Sequence, residues 1–132
     1  MLITINRAEL LAAVRRASFI APSDSPLEVL KGVLLETDGT SGMLTVTSTN
    51  LEVSLAERLP CTVHEDGALV FTAKTLAEML QRLPEETVEI CRRENRGRMA
   101  LLSGCASYSV DVWDMGAFPK PDLPFPEDTV KV

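Results

Sequence analysis

Residues 68–83 read ALVFTAKTLAEMLQRL, in which five residues typical of a β-strand run directly into a one-sided helix. Within 73–83 the apolar residues recur at helical spacing and the polar residues occupy the opposite face. The apolar set is Leu76, Met79, Leu80 and Leu83, and the polar set is Lys74, Glu78, Gln81 and Arg82. Thr72 is the predicted cap, and Pro84 ends the helix. The stretch therefore predicts a strand followed by a helix that packs one face on a sheet.

The same pair of elements is predicted at the start of the chain, with a strand over residues 2–5 and a helix over 7–19. Asn6 precedes this helix and Glu9 follows three residues later, which is the spacing of a capping box. One face carries Leu10, Leu11, Val14 and Ala17, whereas Glu9, Ala12 and Arg16 point the other way, with Arg15 on the flank.

Three strand candidates follow each helix, separated by turn signals such as Asp38-Gly39, Gly42, Asn95-Arg96-Gly97 and Ser103-Gly104. They span residues 30–37, 43–49 and 51–59 in the first half, and 87–93, 98–103 and 106–112 in the second. Short connections favour antiparallel pairing. The chain thus predicts a duplicated βαβββ unit in an α+β domain, with two helices packed on a common antiparallel sheet surface.

The last residues have a different composition. Four prolines, at positions 119, 121, 124 and 126, exclude a helix or a central strand there. We therefore predict one domain over residues 1–118 and a proline-rich tail over 119–132. A partly disordered terminus explains such a tail as readily as a binding role does.

Composition limits the class of protein. The chain has 132 residues, of which 45% are hydrophobic and 24% charged, as is ordinary for one soluble globular domain. It contains no apolar run near the ~20 residues of a membrane span and no signal-peptide pattern at its start, so we expect a cytoplasmic protein without membrane contact. Its three cysteines are irregularly spaced and do not indicate a disulfide framework. Cys61 and the only histidine, His64, lack a second ligand pair at zinc spacing, so we expect neither metal nor cofactor.

Charge is unevenly distributed along the chain. The net charge is −6, which argues against a protein that binds nucleic acid over its whole surface. The two predicted helices carry five basic and two acidic side chains, a balance of +3, which leaves −9 for the rest. Positive charge is therefore concentrated on the helices.

With these elements placed, the sequence resembles the amino-terminal domain of the bacterial DNA polymerase III beta subunit, the sliding-clamp family. The resemblance runs in collinear order from Met1 to about Pro121. The resemblance is found in these segments: LEVL at 27–30 leading into GVLLE at 32–36, LTVTSTNLE at 44–52, TAK at 72–74 with Leu83-Pro84, Gly104 followed by YSV at 108–110, and AFP at 117–119.

The resemblance implies the processivity-clamp fold, in which helices line a ring around duplex DNA and sheets form the outer wall. It implies partners as well: duplex DNA bound without sequence preference, DNA polymerase III components, and other clamp domains. Lys74 and Arg82 are the first DNA-binding candidates, followed by Arg15, Arg16 and Arg7. Each of the five could equally be part of a solvated helix face. The strand with Tyr108 and Val110 corresponds to the seam between subunits, so self-association through it is expected.

Some residues depart from the family pattern. Asp24 stands where a basic residue is frequent, and Glu28 replaces a proline. The family's subunit has three such domains and carries its pocket for polymerase and clamp-loader peptides in the later ones, so no residue of that pocket is carried over to this sequence.

Three classes of function follow from the sequence. The first is a DNA-polymerase processivity factor domain of the sliding-clamp type, and the second is a non-enzymatic clamp-like module that docks on another replication subunit without encircling DNA. The third, an enzyme, has little support. His64 is in a predicted loop beside Glu65-Asp66 without a nucleophile or orienting partner, and the chain has no glycine-rich phosphate loop.

Overall fold

The computed structural model describes residues 1–21, 28–92, 97–113, 116, 118 and 119. Within them the elements are β1 Leu2–Asn6, α1 Arg7–Ile20, β2 Gly32–Asp38, β3 Met43–Thr49, β4 Ser54–Pro60, β5 Thr62–Glu65, β6 Ala68–Thr72, α2 Ala73–Arg82, β7 Thr87–Arg92, β8 Arg98–Ser103 and β9 Ala106–Asp111, with a short 3-10 helix, Glu28–Lys31, before β2. Asp24, the side chain of Glu28, the turn residues Asn95 and Arg96 and the tail beyond Pro119 lie outside the described residues. Neither helix in the described part is long and apolar enough to cross a membrane.

The nine strands form two sheets, and the first strand of each repeat belongs to the sheet of the other repeat. The first sheet has the order β5-β1-β7-β8-β9, and the second has the order β4-β3-β2-β6. Every strand pair in them is antiparallel. The first strand of each repeat thus joins the other repeat's three strands, for example through the pairs Ile3↔Ile90 and Leu34↔Val70. The predicted α+β fold with its duplicated unit is confirmed, and the exchange explains why the two halves form one domain.

Both helices cover the inner faces of these sheets. Helix α1 buries Leu10, Ala13, Val14 and Ala17, and α2 buries Ala73, Leu76, Met79 and Leu80. These side chains share one core with residues of both sheets, including the fully buried Leu35, Leu44 and Ile90. A leucine buried in this way contributes about 2 kcal/mol. The helix faces opposite the core are therefore free to form a surface of their own.

The predicted caps of the two helices differ in the structure. Asn6 Oδ1 accepts a hydrogen bond from Glu9 N at 2.9 Å, as the capping pattern predicted. Thr72 occupies the corresponding position before α2, but its side chain makes no capping hydrogen bond.

Two sequence predictions were wrong in the strands that follow. The strand predicted over 51–59 begins only at Ser54, because Asn50 Oδ1 accepts hydrogen bonds from Glu52 N and Val53 N at 2.9 and 2.7 Å and closes a turn. Leu51 lies in this turn with a φ of 79°. The loop predicted around His64 contains β5, whose only aliphatic residue is Val63, so that its alternation is too short to detect.

Two buried serines give a matched test of polar burial. In the described part of the chain, Ser48 Oγ is fully buried and has no hydrogen-bond partner. Ser103 Oγ, also buried, accepts from Glu85 N at 3.1 Å and donates to the Thr87 carbonyl at 3.2 Å. We expect Ser103→Ala to lower the free energy of unfolding by about 2 kcal/mol, and Ser48→Ala to leave it unchanged or raise it. Urea unfolding of both variants measures the difference, and equal losses would contradict it.

Candidate nucleic-acid interface

The two helices lie antiparallel in one layer. The beginning of α1 meets the end of α2, because the Arg7 guanidinium donates to the Leu80 and Glu85 carbonyls. At the other end of the layer, Ser18 and Phe19 from the end of α1 line the same cavity as Ala73 and Lys74 from the start of α2. Since the buried side of each helix faces the sheets, its exposed side forms the outer face of this layer, which we call the helix face.

Lys74 and Arg82 both project from the helix face, as the sequence predicted. They are eight residues apart in α2, which corresponds to roughly 12 Å along the helix axis. Glu78 and Gln81 are exposed between them. Lys74 therefore stands at one end of the helix face, and Arg82 at the other.

Arg15 and Arg16 are both exposed near the end of α1, at the same end of the helix face as Lys74. Arg16 is paired with Glu57 of β4, with Nε to Oε1 at 2.5 Å and Nη2 to Oε2 at 2.7 Å. The hydrogen bond to Glu57, with its charge, raises the pKa of the Arg16 guanidinium. A phosphate would have to compete with this carboxylate for Arg16, whereas Arg15 has no such acidic partner among the described contacts.

Arg7 has a role that the sequence did not reveal. Its Nε donates to the Glu85 carbonyl at 2.8 Å and its Nη1 to the Leu80 carbonyl at 2.9 Å, and its backbone N–H donates to the Glu86 carbonyl at 2.8 Å. The side chain is half-buried. Arg7 thus ties the two helices together, and its predicted contact with DNA would have to be made by what remains exposed of the guanidinium.

Strand β9 lies at the edge of the first sheet, as required of the predicted seam. Tyr108 and Val110 turn toward the core, where both are half-buried. Val112 N donates to the Gly97 carbonyl, so the backbone groups of alternate residues face β8 and those of Ser107, Ser109 and Asp111 face outward. The hydrogen-bonding groups available to an added strand at this edge are therefore the backbone groups of Ser107, Ser109 and Asp111, which alternate with the predicted seam residues Tyr108 and Val110.

One side chain already lies along this edge. The Arg98 guanidinium reaches across β9 to the Ser109 carbonyl at 3.2 Å, the Ser109 hydroxyl at 3.3 Å and Asp111 Oδ1 at 3.0 Å. These exposed contacts cover part of the edge, which is one way that proteins limit uncontrolled strand pairing.

The only histidine, His64, lies on an exposed strand, where its Nε2 and Thr4 Oγ1 are 3.2 Å apart. No group of three or more histidine, cysteine, aspartate or glutamate side chains among the described residues is arranged to hold a metal ion.

Comparisons with known proteins agree on one family. The family model described as the DNA polymerase III beta subunit, N-terminal domain, matches residues 1–123. The beta sliding clamp of Streptomyces coelicolor is 28% identical over 131 residues, which cover 98% of this chain and 34% of that protein. The beta sliding clamp of Chlamydia pneumoniae is 29% identical over 125 residues, covering 93% and 33%.

Solved structures resemble the fold closely. The DNA polymerase III subunit beta of Pseudomonas aeruginosa has a TM-score of 0.84 at 25% identity, over 94% of this chain and 33% of that one. The DNA polymerase sliding clamp of Caulobacter crescentus has a TM-score of 0.85 at 23% identity, over 93% and 33%.

Two βαβββ repeats that exchange their first strands between two sheets, with both helices in one layer, define a sliding-clamp domain. The chain belongs to the DNA polymerase III beta subunit family, in which it corresponds to the N-terminal domain. It spans about a third of the length of the relatives that it matches.

Proposed function

We propose that this chain acts as a sliding-clamp-type domain of a DNA polymerase processivity factor, and that its helix face contacts duplex DNA without reading the sequence. The observation that carries the proposal is the position of Lys74, Arg82 and Arg15, all exposed on the helix face of a protein whose net charge is −6. Cations that contact phosphates hold DNA without fixing a register, which is compatible with sliding.

The rest of the proposal rests on the family. The relatives are named for the sliding clamp or for a DNA polymerase III subunit, so polymerase components and other clamp domains are the expected protein partners. Members of this family are accessory proteins and not enzymes, which is consistent with the isolated His64.

Charge reversal on α2 tests the DNA contact. The double variant Lys74→Glu/Arg82→Glu should bind a blunt duplex of about 20 base pairs at least tenfold more weakly than the wild type at low salt. The slope of log K against log salt should become shallower by about 2, because two phosphate contacts are lost. Fluorescence anisotropy in a salt titration measures both quantities.

A single reversal gives the matched control. Arg98→Glu makes the same change of charge as Lys74→Glu, but at an exposed position of strand β8 instead of on the helix face. Only Lys74→Glu should weaken binding strongly. Equal losses would mean that net charge, and not the helix face, determines binding, and an unchanged double variant would rule out Lys74 and Arg82 as DNA contacts.

A second function is favoured by the outward backbone of β9. A module that docks on another clamp or replication subunit through this edge would need no DNA. Retention assays separate the two functions: a clamp assembled around DNA should remain on closed circular duplex and slip off when the circle is linearised, whereas a docking module should be retained on neither.

A further inference from the structure

The two junctions between the antiparallel helices are built differently. At the first, Arg7 is the first residue of α1, and it fills the space beside the end of α2 through its bonds to the Leu80 and Glu85 carbonyls. The residue in the same place in the second repeat is Ala73, the first residue of α2, whose buried methyl group cannot reach the end of α1. The second junction therefore lacks the side chain that closes the first.

A cavity of about 360 Å³ lies at this second junction. Its described lining comes from the end of α1 and the residue after it, from the 3-10 helix, and from the start of α2 and the residue before it, namely Ser18, Phe19, Ala21, Lys31, Thr72, Ala73 and Lys74. Among the described lining residues, Lys74 is exposed, whereas Lys31 has an interaction of its own within the chain. On a chain with a net charge of −6, an exposed lysine beside a cavity gives an anionic ligand a local point of attachment.

Phe19 adds a second chemical feature. Its side chain is 86% exposed, the highest value among the exposed large apolar residues, which also include Leu51 at 64% and Val53 at 52%. A phenyl ring with this exposure offers a flat face for stacking. Proteins that bind single-stranded nucleic acid combine such aromatic faces with basic side chains that contact the backbone.

We propose that the cavity between the end of α1 and the start of α2 binds a nucleotide of an unpaired DNA strand, with its base stacked on Phe19 and its phosphate held by Lys74. An acidic peptide would satisfy Lys74 as well, but the exposed planar ring that lines the same cavity favours a base. Because Lys74 belongs to both surfaces, the inference rests on the proposed function. It extends that function from duplex to a junction at which one strand is unpaired.

The test uses a fluorescein-labelled oligo-dT of about 15 nucleotides and a blunt duplex of about 20 base pairs, with the full chain. Phe19→Leu keeps an apolar side chain but removes the ring, so it should lower oligo-dT affinity roughly tenfold and leave duplex affinity unchanged. Phe19→Trp should retain or increase oligo-dT affinity. The control Leu51→Ala removes another exposed apolar side chain outside the cavity, and should change neither affinity.

Three outcomes would overturn the inference. They are equal oligo-dT affinity of the wild type and Phe19→Leu, a loss of oligo-dT affinity in Phe19→Trp as large as in Phe19→Leu, and Phe19-dependent binding of a glutamate-rich peptide without binding of oligo-dT. The duplex titration is independent of these results. If the wild type fails to bind duplex but binds oligo-dT through Phe19, the proposed function fails and the cavity assignment stands. If duplex binding depends on Lys74 and Arg82 but oligo-dT binding does not depend on Phe19, the proposed function stands and the cavity assignment fails.

Discussion

Arg7→Ala is expected to lower the free energy of unfolding by about 3 kcal/mol, because a charged donor to two backbone carbonyls is lost. The Leu80 and Glu85 carbonyls that accept from it lie at the end of α2 and just beyond, and the contact from Arg7 to Leu80 is partly buried. The loss corresponds to a decrease in Tm of roughly 10 °C for a domain of this size. Urea and thermal unfolding measure both values.

Two variants separate this structural role from a contact with DNA. Arg15→Ala removes an exposed arginine from the same helix, and should change stability by less than about 0.5 kcal/mol. Arg7→Lys retains the positive charge but not the planar guanidinium that reaches two carbonyls, so it should lose much of the stability that Arg7→Ala loses. If Arg7→Ala unfolds like the wild type and only weakens DNA binding, the claim that Arg7 stabilises the fold by joining the two helices is wrong.

Ser109→Pro is expected to reduce self-association through β9 by at least tenfold. The Ser109 N–H faces outward from the edge, so proline removes a donor that only an added strand would use, while Tyr108 and Val110 still pack inward. Light scattering across a wide concentration range should show the wild-type mass rising above the 14.4 kDa of one chain. The variant should stay near that mass.

Two further variants make the result specific. Ser109→Ala keeps the backbone N–H and should associate like the wild type, whereas Tyr108→Glu places a charge at the predicted seam and should lower the apparent mass. A wild type that remains monomeric throughout, or a proline variant of unchanged mass, would show that β9 is not a seam for this chain.

Local patterns were sufficient to predict most of the fold. The apolar stripes placed the buried faces of both helices correctly, and Asn6 with Glu9 identified the beginning of α1, because these features depend on residues a few positions apart. For the same reason the sequence placed Lys74 and Arg82 on the exposed face of α2, whereas Arg15, predicted on the flank of α1, is exposed. Strands β1 and β6 were predicted, but their exchange between the two sheets left no local signal, since pairs such as Ile3↔Ile90 join distant residues.

The site was less predictable where its contacts are distant in sequence. Glu57 pairs with Arg16 from 41 positions away, and Leu80 accepts from Arg7 from 73 positions away, so no spacing rule could find either. The open junction beside Phe19 is equally invisible in the sequence, because it depends on which helix ends meet. At Leu51 the local pattern itself misled the prediction, because the alternation of a strand continued through a turn that Asn50 closes.

The most direct test of the helix face is an amide NMR titration of the labelled protein with a 20-base-pair duplex. Shifts should be confined to residues around Arg15 and Arg16 of α1 and to residues 74–82 of α2, should disappear as salt is raised, and should leave Glu89 of β7 and Ser109 of β9 unaffected. Shifts that map to the outer sheet faces, or no shifts at low salt, would contradict the proposal that this domain holds DNA by its helices.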